Sequence, residues 1–305
     1  MSNGFSLGEY ITTNSNIAQE IKTLLQGLTK QEQNLLIRQM ARSKQCYENN
    51  SWTFSDLDEK ELAELHQIFT EFIPQNYKLN ENLYYYDGYF LPIDYFEISV
   101  FRHKHSLDIL EPQTLAKMRQ KDIIDAGGHV DDSAIIFERE FTDKKVYTFE
   151  PTQENYEKML QTIKLNSSSR IVPIKKGLGA TNSTMQMSIS DFNYGIGSSI
   201  ALDRGFGKTQ AVEVVKLDDF VRENKIEVGF IKVDIEGFEM EFLKGAKETI
   251  MQQKPAMLIS IYHQPSDYFG IKPLIESWNL GYKFKICKGV DLTLIDETVL
   301  FCEVL

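Results

Sequence analysis

Apolar and polar positions divide the chain into a helical N-terminal part and a longer part in which short apolar runs alternate with amphipathic stretches. Residues 1–15 are polar and without period and read as a loose end. Residues 16–28 form a short predicted helix ended near Gly27. Thr29-Lys-Gln-Glu32 has capping-box spacing and opens a second helix through about Arg42, with polar loop at 47–51. Ser55-Asp-Leu-Asp58 opens a third, with Leu62, Leu65, Phe69 and Phe72 on one face and Pro74 as its stop. Tyr84-Tyr-Tyr-Asp-Gly-Tyr-Phe-Leu91 then signals a hairpin around Asp87-Gly88, and residues 93–101 continue as strand.

From about Leu107 the alternation implies βαβ units and a parallel sheet. Strands are predicted at 122–125, 145–150 and 170–175, with helices at 132–141 and 152–165. Residues 184–189 read as an added strand, 193–208 as a glycine-rich surface loop, 211–216 as a strand and 217–224 as a helix. The stretch from Phe230 to Ala246 organises the rest. A short apolar run ends in Asp234-Ile-Glu-Gly237 and becomes a helix with Phe238, Phe242, Leu243, Ala246 and Ile250 on one face. Glu239, Glu241, Lys244 and Lys247 fall on the other face, which reads as solvated. A strand at 256–261 closes with Tyr262-His263, and 282–287 with 298–304 resemble a hairpin that completes the sheet. The predicted organisation is a helical extension over 1–82 and an α/β domain over 83–305, with the hairpin at 83–101 and a Rossmann-like core at 107–305.

A chain of 305 residues can bury one large core, with or without an appended unit. Its net charge of −11 argues against a nucleic-acid partner held through phosphates. No apolar run is long enough to cross a bilayer, and the first residues lack the basic start and apolar stretch of a secretory signal. Cys46, Cys287 and Cys302 have no metal-ligand spacing and read as reduced thiols. The expected location is cytoplasmic. The N-terminal helices read first as a packing cap or homodimer contact, with a substrate lid as the sharper alternative.

Two constellations carry chemistry. In the first, Asp125-Ala-Gly-Gly-His-Val-Asp-Asp-Ser133 makes a glycine-bearing turn from strand to helix, and Glu150 ends the next strand. An acid there is placed to accept hydrogen bonds from ribose hydroxyls. Asp131 and Asp132 at the helix start would repel a dinucleotide's pyrophosphate but tolerate a cofactor with an amino group and a sulfonium, such as S-adenosylmethionine (SAM). One of them also suits a helix cap. In the second, Asp234, Glu236 and His263 stand at the ends of adjacent strands, where open α/β sheets place their ligands. A carboxylate or imidazole there can take a hydroxyl's proton, and His263 is the candidate base. The acids could instead hold Mg²⁺, an alternative not favoured because no other acid has ligand spacing. Zinc patterns, phosphate-cradling loops and Gly-x-Ser-x-Gly are absent.

Phe230-Ile-Lys-Val-Asp-Ile-Glu-Gly-Phe-Glu239 with Leu243-Lys-Gly-Ala246 resembles the signature of the FkbM-type SAM-dependent methyltransferases. Asp125-Ala-Gly127, Val146-Tyr-Thr-Phe-Glu-Pro151 with Asn155, Gly177-Leu-Gly179, Gly197-Ser-Ser199 and Ile259-Ser-Ile-Tyr-His263 follow in family order, so the resemblance covers about 84–305. It implies a class I, seven-stranded sheet, mostly parallel with an antiparallel last strand, and O-methylation of a hydroxyl on a sugar, glycan or sugar-nucleotide. By position Asp125, Gly127 and Ser133 would line the methionine part of SAM. Glu150 would take the ribose, Pro151, Thr152 and Leu178 would border the adenine, and Gly128, Asp132, Asn155, Gly177 and Asp234 would also belong to the cofactor site. Asp234, Glu236 and His263 would face the methyl and acceptor, with Gly197, Ser198 and Ser199 on the substrate side. Asp131 departs from the family's usual glycine, which predicts either crowding of the cofactor's amino-acid end or a side chain turned outward. That departure makes a partner-binding module that has lost its cofactor the alternative reading. An NAD(P)-dependent oxidoreductase on the same sheet ranks behind it.

Overall fold

The computed structural model describes residues 3–50, 57–190, 198–200, 208–291 and 293–305. Helices α1 (Asn3–Thr13), α2 (Ile17–Leu25), α3 (Lys30–Asn49) and α4 (Glu59–Gln67) lead the chain. The capping box at α3 forms as its spacing dictates: Thr29 Oγ1 accepts from the Glu32 N–H, and the Glu32 carboxylate accepts from the Thr29 N–H at 2.7 Å. Two expectations fail here. The expected loose end is α1, which packs on α3 with Gly8 against Ser43 and Tyr47, while Gly4 faces Leu294. A Cβ on Gly8 would stand 2.0 Å from the Ser43 carbonyl oxygen, so the contact is made by a missing side chain that gives no apolar signal. The second helix also runs seven residues beyond Arg42, to Asn49. Leu7, Leu24, Leu36 and Met40 join one core with Ile286, Ile295 and Leu300, so these helices pack on the sheet.

After α4 the backbone widens into a π turn over Ile68–Phe72, which rotates the buried face. Ile68 and Phe72 are buried, whereas Leu62 and Phe69 of the predicted face are half exposed. Strands β1 (Tyr77–Asn80), β2 (Leu83–Tyr86) and β3 (Tyr89–Leu91) form a small sheet, with Asp87 and Gly88 as its two-residue turn. The strand expected over 93–101 does not form. Pro92 has no N–H to continue the ladder, and a π turn at Ile98–Arg102 buries Val100 and Phe101 instead.

After α5 (Pro112–Arg119) the main layer begins with β4 (Asp122–Ala126), α6 (Asp132–Ile136), β5 (Val146–Phe149), α7 (Gln153–Leu165) and β6 (Ile171–Ile174). Next come β7 (Gly177–Leu178), β8 (Ser183–Ile189), β9 (Lys208–Val215) and α8 (Leu217–Asn224). The chain then returns through β10 (Val228–Val233), α9 (Glu239–Gly245), α10 (Lys247–Gln253), β11 (Ala256–Ser260), α11 (Pro265–Ser277), β12 (Lys283–Cys287) and β13 (Val299–Glu303). The seven-stranded order is β12-β13-β11-β10-β4-β5-β6, with β13 antiparallel to both neighbours. Strands β7, β8 and β9 form a separate sheet. The predicted single helix after Gly237 is two, broken at Ala246.

Strand β10 is central. Val228, Phe230, Ile231 and Val233 are fully buried, each contributing roughly 1.5–3 kcal/mol against exposure. Val233 pairs with Ala126, and Ala126 with Phe149, so β10, β4 and β5 end level. The chain winds outward from β4 through β5 to β6 and returns on the other side at β10, which makes the β4/β10 boundary a topological switch point. Among the described residues no helix is long and apolar enough to cross a membrane.

Candidate active site

The loops after β4, β5 and β10 meet at that switch point. The Asp234 N–H donates to the Ala126 carbonyl at 3.0 Å, and the Gly127 and Gly128 N–H groups donate to Phe149 at 3.1 and 2.9 Å. Gly127 has φ +87, and a Cβ there would lie 1.8 Å from the Asp234 carbonyl oxygen. No other residue allows the two loops to touch in this way. The cavity above them encloses about 1060 Å³ with its open mouth.

The cavity is lined by the expected cofactor residues Gly127, Asp132, Ser133, Glu150, Pro151, Asn155, Gly177 and Leu178. Ser198, Asp234 and Glu236 line the same cavity. Asp125, Gly128, Thr152 and Ser199 stand behind the wall and shape it. Glu150 Oε1 accepts from the Thr152 N–H at 2.8 Å and from its hydroxyl at 2.6 Å. Burial pushes the Glu150 carboxyl up to about 7 despite those bonds. Ser199 Oγ donates to the Glu236 carbonyl at 2.6 Å, bracing the turn in which Glu236 has φ +57. Gly197 lies outside the described residues.

Asp125 does not reach the cavity, because Lys232 stands between. The buried Lys232 ammonium is 3.1 Å from Asp125 and donates to the Gly127 carbonyl at 2.7 Å. Burial disfavours its charge, but Asp125, Asp234 and Asp132 outweigh burial and hold it protonated. Burial pushes Asp125 up to about 6, against the pull of Lys232. Lys232 is a site residue that the sequence reading passed over, although a lysine inside an apolar strand marks a buried charge that needs a partner.

Asp131 neither crowds the cavity nor points outward. It has φ +71 and is fully buried beside Thr148, on the side away from the cavity. Neither its carboxyl oxygens nor Thr148 Oγ1 makes a hydrogen bond of acceptable geometry. Burial, reinforced by Asp125, raises its pKa well above the carboxylate range. Asp131 does not cap α6; Asp132 accepts from the Ser133 N–H at 2.9 Å.

His263 also stands behind the wall. Its Nδ1 is 2.9 Å from Glu239 Oε1, and its Nε2 is 3.4 Å from Asp234 Oδ1 and 3.6 Å from Glu236 Oε2. Burial disfavours the imidazolium, yet Glu239, Glu236 and Asp234 prevail and push the pKa up to about 10. Glu239 therefore corrects the expectation of a solvated helix face. It is fully buried and accepts from the Ile235 N–H at 2.9 Å as well as from His263. Glu241, paired with Lys244, and the exposed Lys244 and Lys247 behave as the helical pattern predicted.

Further lining residues come from segments without regular periodicity. Tyr95, Glu97 and Ser99 precede β4, while Tyr262 and Glu297 flank β13 and its neighbour. The Tyr262 hydroxyl lies 3.0 Å from Glu297 Oε1 and 3.4 Å from Asp234 Oδ1. Burial, then Asp234, raises Glu297 to about 7. His105 Nε2 lies 2.9 Å from Ser133 Oγ, and burial, with Lys232 nearby, pushes the ring down to about 3. The hairpin tyrosines do not line the cavity. Tyr84 and Tyr89 are buried, and Tyr86 packs on Phe72 and Phe96.

Comparison with known proteins follows this geometry. "Methyltransferase 1" of Beauveria bassiana (strain ARSEF 2860) is 25% identical over 178 residues, 51% of this chain and 70% of that protein. The crystal structure of Methyltransferase FkbM from Methylobacillus flagellatus KT superposes with a TM-score of 0.54 at 19% identity. That match covers 97% of this chain but only 60% of the other, so the chain spans well under two thirds of that protein and the likeness is one of fold. The family model described as Methyltransferase FkbM domain matches residues 125–284, more than half of the chain. With the Asp-x-Glu-Gly turn, the glycine loop and the level strand ends all inside that span, the chain belongs to the FkbM-domain methyltransferase family.

Proposed function

We propose that the chain is a SAM-dependent O-methyltransferase acting on a hydroxyl of a sugar, glycan or sugar-nucleotide. The observation that carries this reading is one cavity at the switch point lined by Glu150 together with Asp234 and Glu236. The donor set fits the cofactor. Glu150 lines the cavity and, beyond its two bonds from Thr152, keeps acceptor capacity for a ribose hydroxyl. Pro151, Leu178 and Asn155 offer an apolar slot with one polar edge for a base, and Asp132 offers a carboxylate for an amino group. Bound there, the cofactor supplies a methyl group on a positively charged sulfur. The same buried carboxylate at the start of α6 opposes a pyrophosphate, which weighs against the oxidoreductase reading. Asp131 gives no reason for lost binding, because its side chain is outside the cavity.

Asp234 and Glu236 are the groups that meet the acceptor. Each is about a quarter exposed and lines the cavity, so either can accept the hydroxyl's proton as the oxygen turns nucleophilic. His263 is a positioning residue: it lies outside the lining, is tied to Glu239 through Nδ1, and faces both carboxylates from behind. Aligning the hydroxyl with the methyl carbon supplies the rest of the acceleration. The test is transfer of label from methyl-labelled SAM to a panel of sugars and sugar-nucleotides. Asp234→Asn should lower kcat by about 10²–10⁴ with unchanged cofactor affinity. Near-parental turnover in that variant would remove Asp234 from the mechanism.

A further inference from the structure

We propose that Asp234, Glu236 and His263 form a binding site for a divalent transition-metal ion at the cavity wall, with Glu239 orienting the imidazole. The His263 side chain is 1% exposed, Nδ1 is committed to Glu239 Oε1 at 2.9 Å, and Nε2 has no hydrogen-bond partner. With Nδ1–H donated to Glu239, an ion that displaces the proton from Nε2 meets its lone pair on the side of the two carboxylates that line the cavity.

The distances favour ligation over hydrogen bonding. Charge-assisted N–H···O bonds run about 2.7–2.9 Å. From Nε2 the two carboxylate oxygens stand at 3.4 and 3.6 Å, too far for such bonds. Atoms about 2.1 Å from a common ion at tetrahedral angles lie roughly 3.4 Å from one another, which is the edge seen here. Asp234, Glu239 and His263 each offer an atom within 4.8 Å of the others, and Glu236 joins them 3.6 Å from Nε2.

Glu239 completes a carboxylate–histidine–metal arrangement, in which an outer carboxylate fixes the ring's tautomer and raises its basicity. It is itself fixed by the Ile235 N–H at 2.9 Å, inside the Asp-x-Glu-Gly turn that bears both carboxylate ligands. One imidazole and two carboxylates suit Mn²⁺, Fe²⁺ or Zn²⁺, whereas Mg²⁺ favours oxygen ligands and keeps its water. The remaining coordination positions face the cavity, where a hydroxyl oxygen of the acceptor can ligate. That last role rests on the methyltransferase reading; the binding of the ion does not.

The experiment is calorimetric titration of the full chain, stripped with chelator, using Mn²⁺ and separately S-adenosylhomocysteine. The expected result is one Mn²⁺ per chain at micromolar affinity or tighter, with Mg²⁺ at least tenfold weaker. Glu236→Gln should weaken Mn²⁺ at least tenfold and Glu239→Gln about 10–100-fold, while Glu154→Gln on the exposed face of α7 leaves it unchanged. Glu236→Gln is the decisive variant because its half-buried side chain can be changed without unfolding the site, whereas His263→Gln alters the core. No Mn²⁺ binding, equal affinity for Mg²⁺, or unaltered binding in Glu236→Gln overturns the inference. Mn²⁺ binding without S-adenosylhomocysteine binding would uphold the site and refute the cofactor reading; the reverse pattern would do the opposite.

Discussion

Replacing Glu150 by Gln sets folding against cofactor binding at one side chain. The carboxyl is buried, 6% exposed, and held up from its ordinary 4.5 to about 7 chiefly by loss of solvent. Between those two pH values the native state keeps a proton that the unfolded chain has released. Stability from this group is therefore fully present below pH 4.5 and is lost as pH rises through 7. At about 1.4 kcal/mol per pH unit the loss amounts to about 3 kcal/mol. Glutamine has no charge to desolvate, and its carbonyl can still accept from Thr152. The stability advantage of Glu150→Gln over the parent should grow by about 3 kcal/mol from pH 4.5 to pH 8, a Tm gain on the order of 5 °C. The same change removes an ionised acceptor from the proposed ribose position. A hydrogen bond to a charged group is worth roughly 1.5–3 kcal/mol, so S-adenosylhomocysteine affinity should fall about 10–100-fold. Urea unfolding across pH and calorimetry at pH 8 read the two effects. A stability gap that does not change with pH refutes the electrostatic argument, and unchanged affinity refutes the ribose assignment.

Three other substitutions test the surroundings. Lys232→Met leaves Asp125 buried beside no cation and should cost roughly 3–5 kcal/mol, read by urea unfolding. Asp131→Gly removes a buried, unpartnered carboxyl from a left-handed backbone position and should raise stability by roughly 1–3 kcal/mol. Because Asp131 faces away from the cavity, the same variant should bind S-adenosylhomocysteine as the parent does; a large gain in affinity would mean that it crowds the site after all. Gly127→Ala would place a methyl 1.8 Å from the Asp234 carbonyl and should part the β4 and β10 loops, seen as lost transfer and a lower Tm.

The sequence made the frame of the site legible because each part has a local signal. Asp234-Ile-Glu-Gly237 ends a buried strand, and Glu150 ends another; parallel register then brings them level. Residues that missed their expected roles did so for lack of a local signal. Glu239 occupies the polar side of a helical wheel, yet that side faces His263 and Asp267 across the turn, a tertiary fact that periodicity does not contain. Glu97 and Glu297 reach the cavity from irregular segments two hundred positions apart. The face of α4 was misread because one π turn shifts the phase of the pattern. Helix α1 was missed because its close approach to α3 is made at a glycine, Gly8. Lys232 was different: the signal was present, a charge flanked by Ile231 and Val233, and it indicated a buried ion pair.

The most direct test of the central claim is a calorimetric titration of the chain with S-adenosylhomocysteine, with NAD⁺ as the comparison. The switch-point cavity, with Glu150 and Asp132 on its wall, predicts binding of one molecule per chain at micromolar affinity or tighter, and none of NAD⁺. Absence of heat and of any thermal shift with S-adenosylhomocysteine, or saturable binding of NAD⁺ in its place, would contradict it.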